Sequence, residues 1–249
     1  MNNIHIPPVV KNLLIINVLF FAAKYVLLNA NIDLDRLLGA YYFDSQYFGI
    51  WQLVTYMFMH GDFMHIFFNM FALFMFGGVL ESRWGAKRFL QFYVITGLGA
   101  VALQMAVQAY EVYNITGAIY NNPIQLEFLK NQGVQGYINI GGIMDAQKQT
   151  LMGIYGFPMV GASGAVFGLL VAFGMLYPNT QMYVMFIPVP IKAKFLIPVY
   201  ILMELSLGVA RIPGDSIAHY AHLGGALLGF IMVKLWGDRN NDRFYTYYE

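Results

Sequence analysis

The stretch FMHIFFNMFALFMFGGVL, residues 63–80, decides the fold. It carries no charge, and its only strongly polar side chains are His65 and Asn69. A helix needs roughly 20 mostly apolar residues to cross a hydrocarbon core of about 30 Å. Residues 63–80 therefore read as a membrane helix. Its two polar groups are spaced i,i+4, so they lie on one face.

Working outward, five more stretches have the same character: about Val9–Leu28, Phe89–Ala109, Met159–Tyr177, Ala193–Ala210 (with Pro198 and Glu204) and Ile217–Val233 (with His219 and His222). The chain has 249 residues, of which 59% are apolar and 11% charged. A soluble domain carries about 25% charged residues. A water-soluble enzyme and a disordered chain are both excluded. With 14 Lys+Arg against 13 Asp+Glu there is no basic surface for nucleic acid. Without cysteine there is no disulfide, thiolate catalysis or Cys-ligated zinc. The runs are continuous, unlike the ten-residue alternation of a membrane barrel. The reading is an all-α polytopic membrane protein with six transmembrane helices. It forms a single domain over residues 1–249, with long outer loops at 29–62 and 110–158.

Six spans put both ends of the chain on one side. Nine basic residues (Lys11, Arg83, Lys87, Arg88, Lys192, Lys194, Lys234, Arg239, Arg243) fall on that side, against four (Arg36, Lys130, Lys148, Arg211) on the other. Positive loops stay inside, so both termini are expected in the cytoplasm. The second, fourth and sixth segments then start at the outer surface. The first segment is too long, and too interrupted by Lys24, for a cleaved signal peptide. Asn122-Pro123 reads as a helix start, and short interfacial pieces are expected in both outer loops.

Polar groups within a bilayer are functional candidates by default. Ser163 falls four residues into the fourth segment and His222 five into the sixth. His65 and Asn69 fall near the start of the second. All four share the outer leaflet. Ser163 lies in Gly161-Ala162-Ser163-Gly164-Ala165, near a helix N-terminus whose free N–H groups carry partial positive charge. A serine, a histidine on another helix to take its proton, and N–H donors with a second His and an Asn are the parts of an acyl-transfer site. Each alone has a plainer reading: Ser163 as a packing residue, His65 with Asn69 as an interhelical pair, His222 as a core histidine. Gly225 and Gly229 read as close helix packing.

These motifs resemble the rhomboid intramembrane serine proteases. The resemblance is carried by His60, by His65-Ile66-Phe67-Phe68-Asn69, by Gly161-Ala162-Ser163-Gly164, and by Ala218-His219-Tyr220-Ala221-His222-Leu223-Gly224-Gly225 continuing to Gly229. It implies the family's six-helix core and hydrolysis of peptide bonds in or near transmembrane segments of membrane-protein substrates. It implies Ser163 as nucleophile and His222 as general base, a dyad with no Asp partner. It implies an oxyanion site of His65, Asn69 and the Ser163 N–H, Gly161 lining the cavity, and Phe167 stacked on the His222 ring. It implies that the fifth helix and the loop at Ile212–Ser216 admit a substrate helix sideways. No cofactor or metal is implied, and the membrane is expected to be a bacterial inner membrane.

Two positions depart from the family pattern. Trp51-Gln52 stands where many members have Trp-Arg, which puts anchoring of the first outer loop in question. Phe167 stands where many have Tyr. Among the other polar residues, His60 is expected to tie down the first outer loop, and His219 to line the cavity or bond near the dyad. Glu204 is expected to be protonated or paired, with gating as another role; Glu81 and Arg83 are candidates for bracing a loop, and Lys24 for snorkelling or pairing. Phe244, Tyr245, Tyr247 and Tyr248 read as an interfacial belt. Two other functions compete. In one, Met57, Met59, His60, Met64 and His65 with His219 and His222 form a soft-metal transport site, weakened because no carboxylate joins the histidines. The other is an inactive rhomboid-like helix-binding protein, which the presence of Ser163 and His222 opposes.

Overall fold

The computed structural model describes residues 6–121, 145–184, 187–210 and 218–236. Helix α1 spans Pro8–Leu28. Proline at a first helical position loses no bond, since that N–H has no partner within the helix. The next two amides, Val9 and Val10, donate to the Glu81 carboxylate at 2.9 and 2.7 Å. An anion at a helix N-terminus offsets both the unmet donors and the dipole. Glu81 thus braces a helix end rather than a loop.

The first outer loop carries two short helices, α2 (Leu34–Leu38) and α3 (Gln52–Thr55), the latter followed by a 3₁₀ turn at Tyr56–Phe58. The second span is α4 (Phe63–Ala72), a π turn at Leu73–Gly77, and α5 (Gly78–Trp84). Asp62 caps α4 by accepting the His65 N–H at 2.9 Å. Helix α6 runs Ala86–Thr116 and stops at Gly117, in the left-handed region at φ 80°. Then come α7 (Asp145–Gly156), α8 (Ser163–Leu176), a hairpin of β1 (Gln181–Val184) and β2 (Ile187–Lys192), α9 (Ala193–Ala210) and α10 (His219–Trp236). Among the described residues, four helical stretches are long and apolar enough to cross a membrane: Pro8–Leu28, Phe63–Trp84, Ala86–Thr116 and Ala193–Ala210; the expected fourth and sixth segments are not among them, and α8 is a shorter apolar helix.

Helices α6, α8 and α10 form the centre, and glycines set their spacing. A Cβ on Gly225 would lie 1.8 Å from the Gly164 carbonyl oxygen, and one on Gly229 would lie 2.8 Å from Gly168 Cα. One on Gly168 would meet Thr96 at 2.7 Å. Small residues let membrane helices approach closely enough for dispersion to hold them. At one end of the bundle Trp84 packs edge-on to Trp236 at 5.8 Å, and the Arg88 guanidinium lies 4.5 Å over the Trp236 ring. Glu81 brings the start of α1 to that end too. The opposite end carries the two outer loops, which are joined. Ala40 and Met159 exchange backbone hydrogen bonds of 2.8 Å each. Asp44 accepts from Asn121 N–H at 2.7 Å and from Tyr155 O–H at 2.9 Å.

The structure moves several expected boundaries. The fourth span opens at Ser163 rather than Met159. Residues 158–162 are held out of helix by the Ala40–Met159 bridge and by Gly161, whose φ is 128°. The third span extends past Ala109 to Thr116, because Val112 and Ile115 pack against Tyr42, Leu151, Ile154 and Tyr155 of the outer loops. The second continues to Trp84, and the sixth begins at His219. The β1–β2 hairpin adds a small antiparallel element to the helical architecture. Asn122-Pro123, Lys130, Arg211, the Ile212–Ser216 loop, Arg239, Arg243 and the aromatic tail lie outside the described residues.

Candidate active site

Ser163 is the first residue of α8. It sits there because Gly161 turns the chain sharply while its N–H donates to Tyr56 O at 2.9 Å. The Ser163 N–H therefore belongs to the first turn, where the helix supplies no acceptor. This is a stronger position than four residues into a span, since the dipole and the free donors act at the terminus.

His222 reaches the serine from α10. Its Nε2 lies 2.8 Å from Ser163 Oγ. Phe167, one turn along α8, stacks on the imidazole at 4.2 Å and 9°. That contact fixes the ring plane, and the missing phenol oxygen of a Tyr does not disturb it. Backbone contact between Gly164 and Gly225 brings the two helices close enough for the side chains to meet.

His65 approaches from α4. Gly61 N–H donates to its Nδ1 at 3.4 Å, which leaves Nε2 as the donor nitrogen of the neutral ring. A Cβ on Gly161 would lie 2.6 Å from His65 Nε2 and 3.6 Å from Ser163 Oγ. The bare Cα of Gly161 thus leaves the space between Ser163 Oγ and His65 Nε2 open. Asn69 lines the same cavity, with its amide Nδ2 donating to His65 O at 3.0 Å. His65, Asn69, Gly161, Ser163 and His222 share one cavity of about 1940 Å³. Phe68 and Phe71 of α4 border it on one side, and Val199, Tyr200 and Met203 of α9 on the other.

His60 is fully buried beneath His65, the two rings edge-to-face at 5.0 Å. Burial, and then the neighbouring His65, push its pKa down to about 3, so it is a neutral packing group. Lys24 pairs with Asp35 and donates to His60 O and Gly61 O at 2.9 Å each. These bonds tie α1 to the turn that leads into α4. Gln52 is buried and anchors the first outer loop through four hydrogen bonds. Its Oε1 accepts from Tyr41 and Gly49 amides at 3.3 and 3.1 Å, and its Nε2 donates to Tyr47 O and Leu37 O at 2.9 and 3.4 Å.

Sequence reasoning missed one contact. A dyad with no Asp partner was expected, with Glu204 protonated or paired, or serving a gate. The Glu204 carboxylate meets both histidines of α10: Oε2 lies 2.6 Å from His219 Nδ1 and 2.9 Å from His222 Nδ1. A single acidic residue in an apolar helix is the signal that was there to use. A carboxylate does join the His219–His222 pair, contrary to expectation, and the three candidate ligand atoms lie within 4.8 Å of one another. The soft ligands of the transporter reading are not assembled there, however. Met57 packs on Gly97, where an added Cβ would lie 2.3 Å from its Cε, and Met59 is fully buried.

Residues 47–239 match the family described as Rhomboid domain. The chain belongs to the rhomboid family. RHOMBOID-like protein 5 of Arabidopsis thaliana is 27% identical over 183 residues, covering 73% of this chain and 42% of that protein. Rhomboid protein 1, mitochondrial, of Saccharomyces cerevisiae is 26% identical over 176 residues, covering 70% and 38%. Rhomboid protease GlpG of Yersinia pestis is 22% identical over 202 residues, covering 81% and 53%. The chain thus spans about half or less of the length of these rhomboid relatives. Rhomboid membership and the apolar helices make it an integral, multi-pass membrane protein.

Proposed function

We propose that this chain is an intramembrane serine endopeptidase that cleaves peptide bonds in or near transmembrane segments of other membrane proteins. The observation that carries the reading is the 2.8 Å approach of His222 Nε2 to Ser163 Oγ at a helix N-terminus inside a membrane-embedded cavity. His222 takes the serine proton as Oγ attacks the scissile carbonyl. The Ser163 N–H and His65 Nε2–H, with an Asn69 amide N–H, stabilise the oxyanion. The aromatic and aliphatic walls from α4 and α9 suit an apolar substrate segment, and the outer side supplies water for deacylation. The relative named Rhomboid protease GlpG agrees with this chemistry.

The experiment is labelling with a fluorophosphonate probe in detergent. Wild type is expected to label at Ser163, and Ser163→Ala is expected not to; labelling that survives the substitution removes the assignment. His222→Ala is expected to abolish cleavage of a transmembrane substrate with the fold retained.

We further propose one domain in a bacterial inner membrane, on the Cys-free composition and the rhomboid resemblance, with both termini in the cytoplasm on the nine-to-four distribution of basic residues. The chain contains no cysteine, so single introduced cysteines report sidedness directly. Modification of a cysteine at Lys87 by an impermeant reagent in intact cells contradicts the orientation.

A further inference from the structure

Glu204 is the one acidic residue of α9, and it is 6% exposed. A carboxylate buried in a membrane protein has to be met by donors. The donors here are two imidazoles of the neighbouring helix, at 2.6 and 2.9 Å on a single oxygen. With Glu204 ionised, the carboxylate only accepts hydrogen bonds, and Nδ1 of each ring is then the protonated nitrogen. In the neutral ring of His222 this leaves Nε2 with its lone pair, facing Ser163 Oγ at 2.8 Å. That is the tautomer a general base requires.

We infer that Glu204 is a positioning residue of the reaction, fixing the tautomer and orientation of His222 so that Ser163, His222 and Glu204 act as a relay spanning helices α8, α10 and α9. The inference rests on the protease reading and deepens it. As Oγ bonds to the carbonyl carbon, its proton passes to His222 Nε2. The imidazolium charge then faces the Glu204 carboxylate through Nδ1–H. The proton moves from Nε2 to the leaving amine nitrogen as the C–N bond breaks. In deacylation a water proton takes the same site while the water oxygen bonds to the acyl carbon. Oγ departs with that proton and the free acid is released. Glu204 stays ionised and takes no proton, as expected of a carboxylate that orients a histidine base. His219 is the second brace: its Nδ1–H holds the shared oxygen in place. The chain order Ser, Glu, His also occurs in α/β-hydrolases, on an unrelated fold.

The test compares wild type, Glu204→Gln and Glu204→Asp of the full chain in detergent, on a transmembrane substrate. Glu204→Gln is expected to lower kcat roughly 100- to 10,000-fold, with KM changed less than about threefold, and to slow fluorophosphonate labelling of Ser163 in step. Glu204→Asp is expected to recover part of the rate, which a purely structural role does not require. Nitrogen-15 histidine NMR of the wild type is expected to show Nδ1–H and a bare Nε2 at His222. An Nε2–H tautomer there overturns the inference without any substitution. Unchanged turnover in a folded Glu204→Gln variant overturns it alone, leaving the protease reading intact. Loss of wild-type activity on chelation makes Glu204, His219 and His222 metal ligands and also overturns it. Absence of any Ser163 labelling in wild type defeats the protease reading itself.

Discussion

The α6–α8–α10 seam and helix α9 are held in place by different means. In the seam, Gly225 and Gly229 of α10 lie against the backbone of Gly164 and Gly168 of α8, and α8 in turn packs on Thr96 and Ala100 of α6. Helix α9 has an apolar face turned outward: Phe195, Leu202 and Val209 are all at least 60% exposed. Its buried residues are few, Ala193, Ile197, Glu204 and Gly208. It is joined to α10 by the Glu204 carboxylate and by Tyr220 O–H donating to Gly208 O at 3.0 Å. Lipid gives little hydrophobic drive between helices, so close packing or polar bonds must supply the attraction. The seam uses the first; α9 adds the second to a smaller apolar contact of Ala193 and Ile197 with Phe173. Ser163 and His222 ride on the close-packed pair, and Glu204 rides on the helix that depends more on polar bonds.

The comparison breaks most directly at Gly225. Gly225→Leu puts a side chain where the Gly164 carbonyl lies, and is expected to destabilise the fold by about 3 kcal/mol or more. Thermal unfolding in detergent reads this, and a native melting temperature contradicts the seam. Next is Gly161→Ala, which sets a methyl against His65 Nε2 at a left-handed φ. It is expected to lower kcat roughly 100- to 1,000-fold, the effect of losing one oxyanion donor. Steady-state kinetics on a transmembrane substrate check it; full activity shows that His65 does not serve the oxyanion. Gln52→Ala leaves the Tyr41 and Gly49 amides without their acceptor and is expected to cost about 1–3 kcal/mol in unfolding measurements. An unchanged value means the loop is anchored elsewhere. The smallest effect is expected on α9: Leu202→Ala, on the outward face, should change stability by no more than about 0.5 kcal/mol. A larger loss would place Leu202 in a packed contact and erase the contrast.

Much of this was legible in the sequence, and the limits have physical causes. Spans are legible because bilayer thickness fixes their length, so the apolar runs beginning at Phe63 and Ala193 coincide with helix starts. Ser163, His222, His65 and Asn69 are legible because polar groups are scarce in such runs. Which helix faces which is not encoded in periodicity, and the Glu204–His222 contact depends on that. The helix start at Ser163 was missed by four residues because hydropathy does not register the Ala40–Met159 bridge or the Gly161 turn. The extension of α6 to Thr116 depends on Tyr42 and Tyr155, both distant in sequence.

The segment leading into Ser163 is clamped twice by the first outer loop, at Met159 by Ala40 and at Gly161 by the Tyr56 carbonyl. Amide hydrogens exchange in cooperative units that open together. The amides of Ala40, Met159 and Gly161 are therefore expected to gain or lose protection as a set when hydrogen exchange is followed. On the protease reading, the local opening free energy of a surface loop then bears on how long Ser163 keeps its place beside His222.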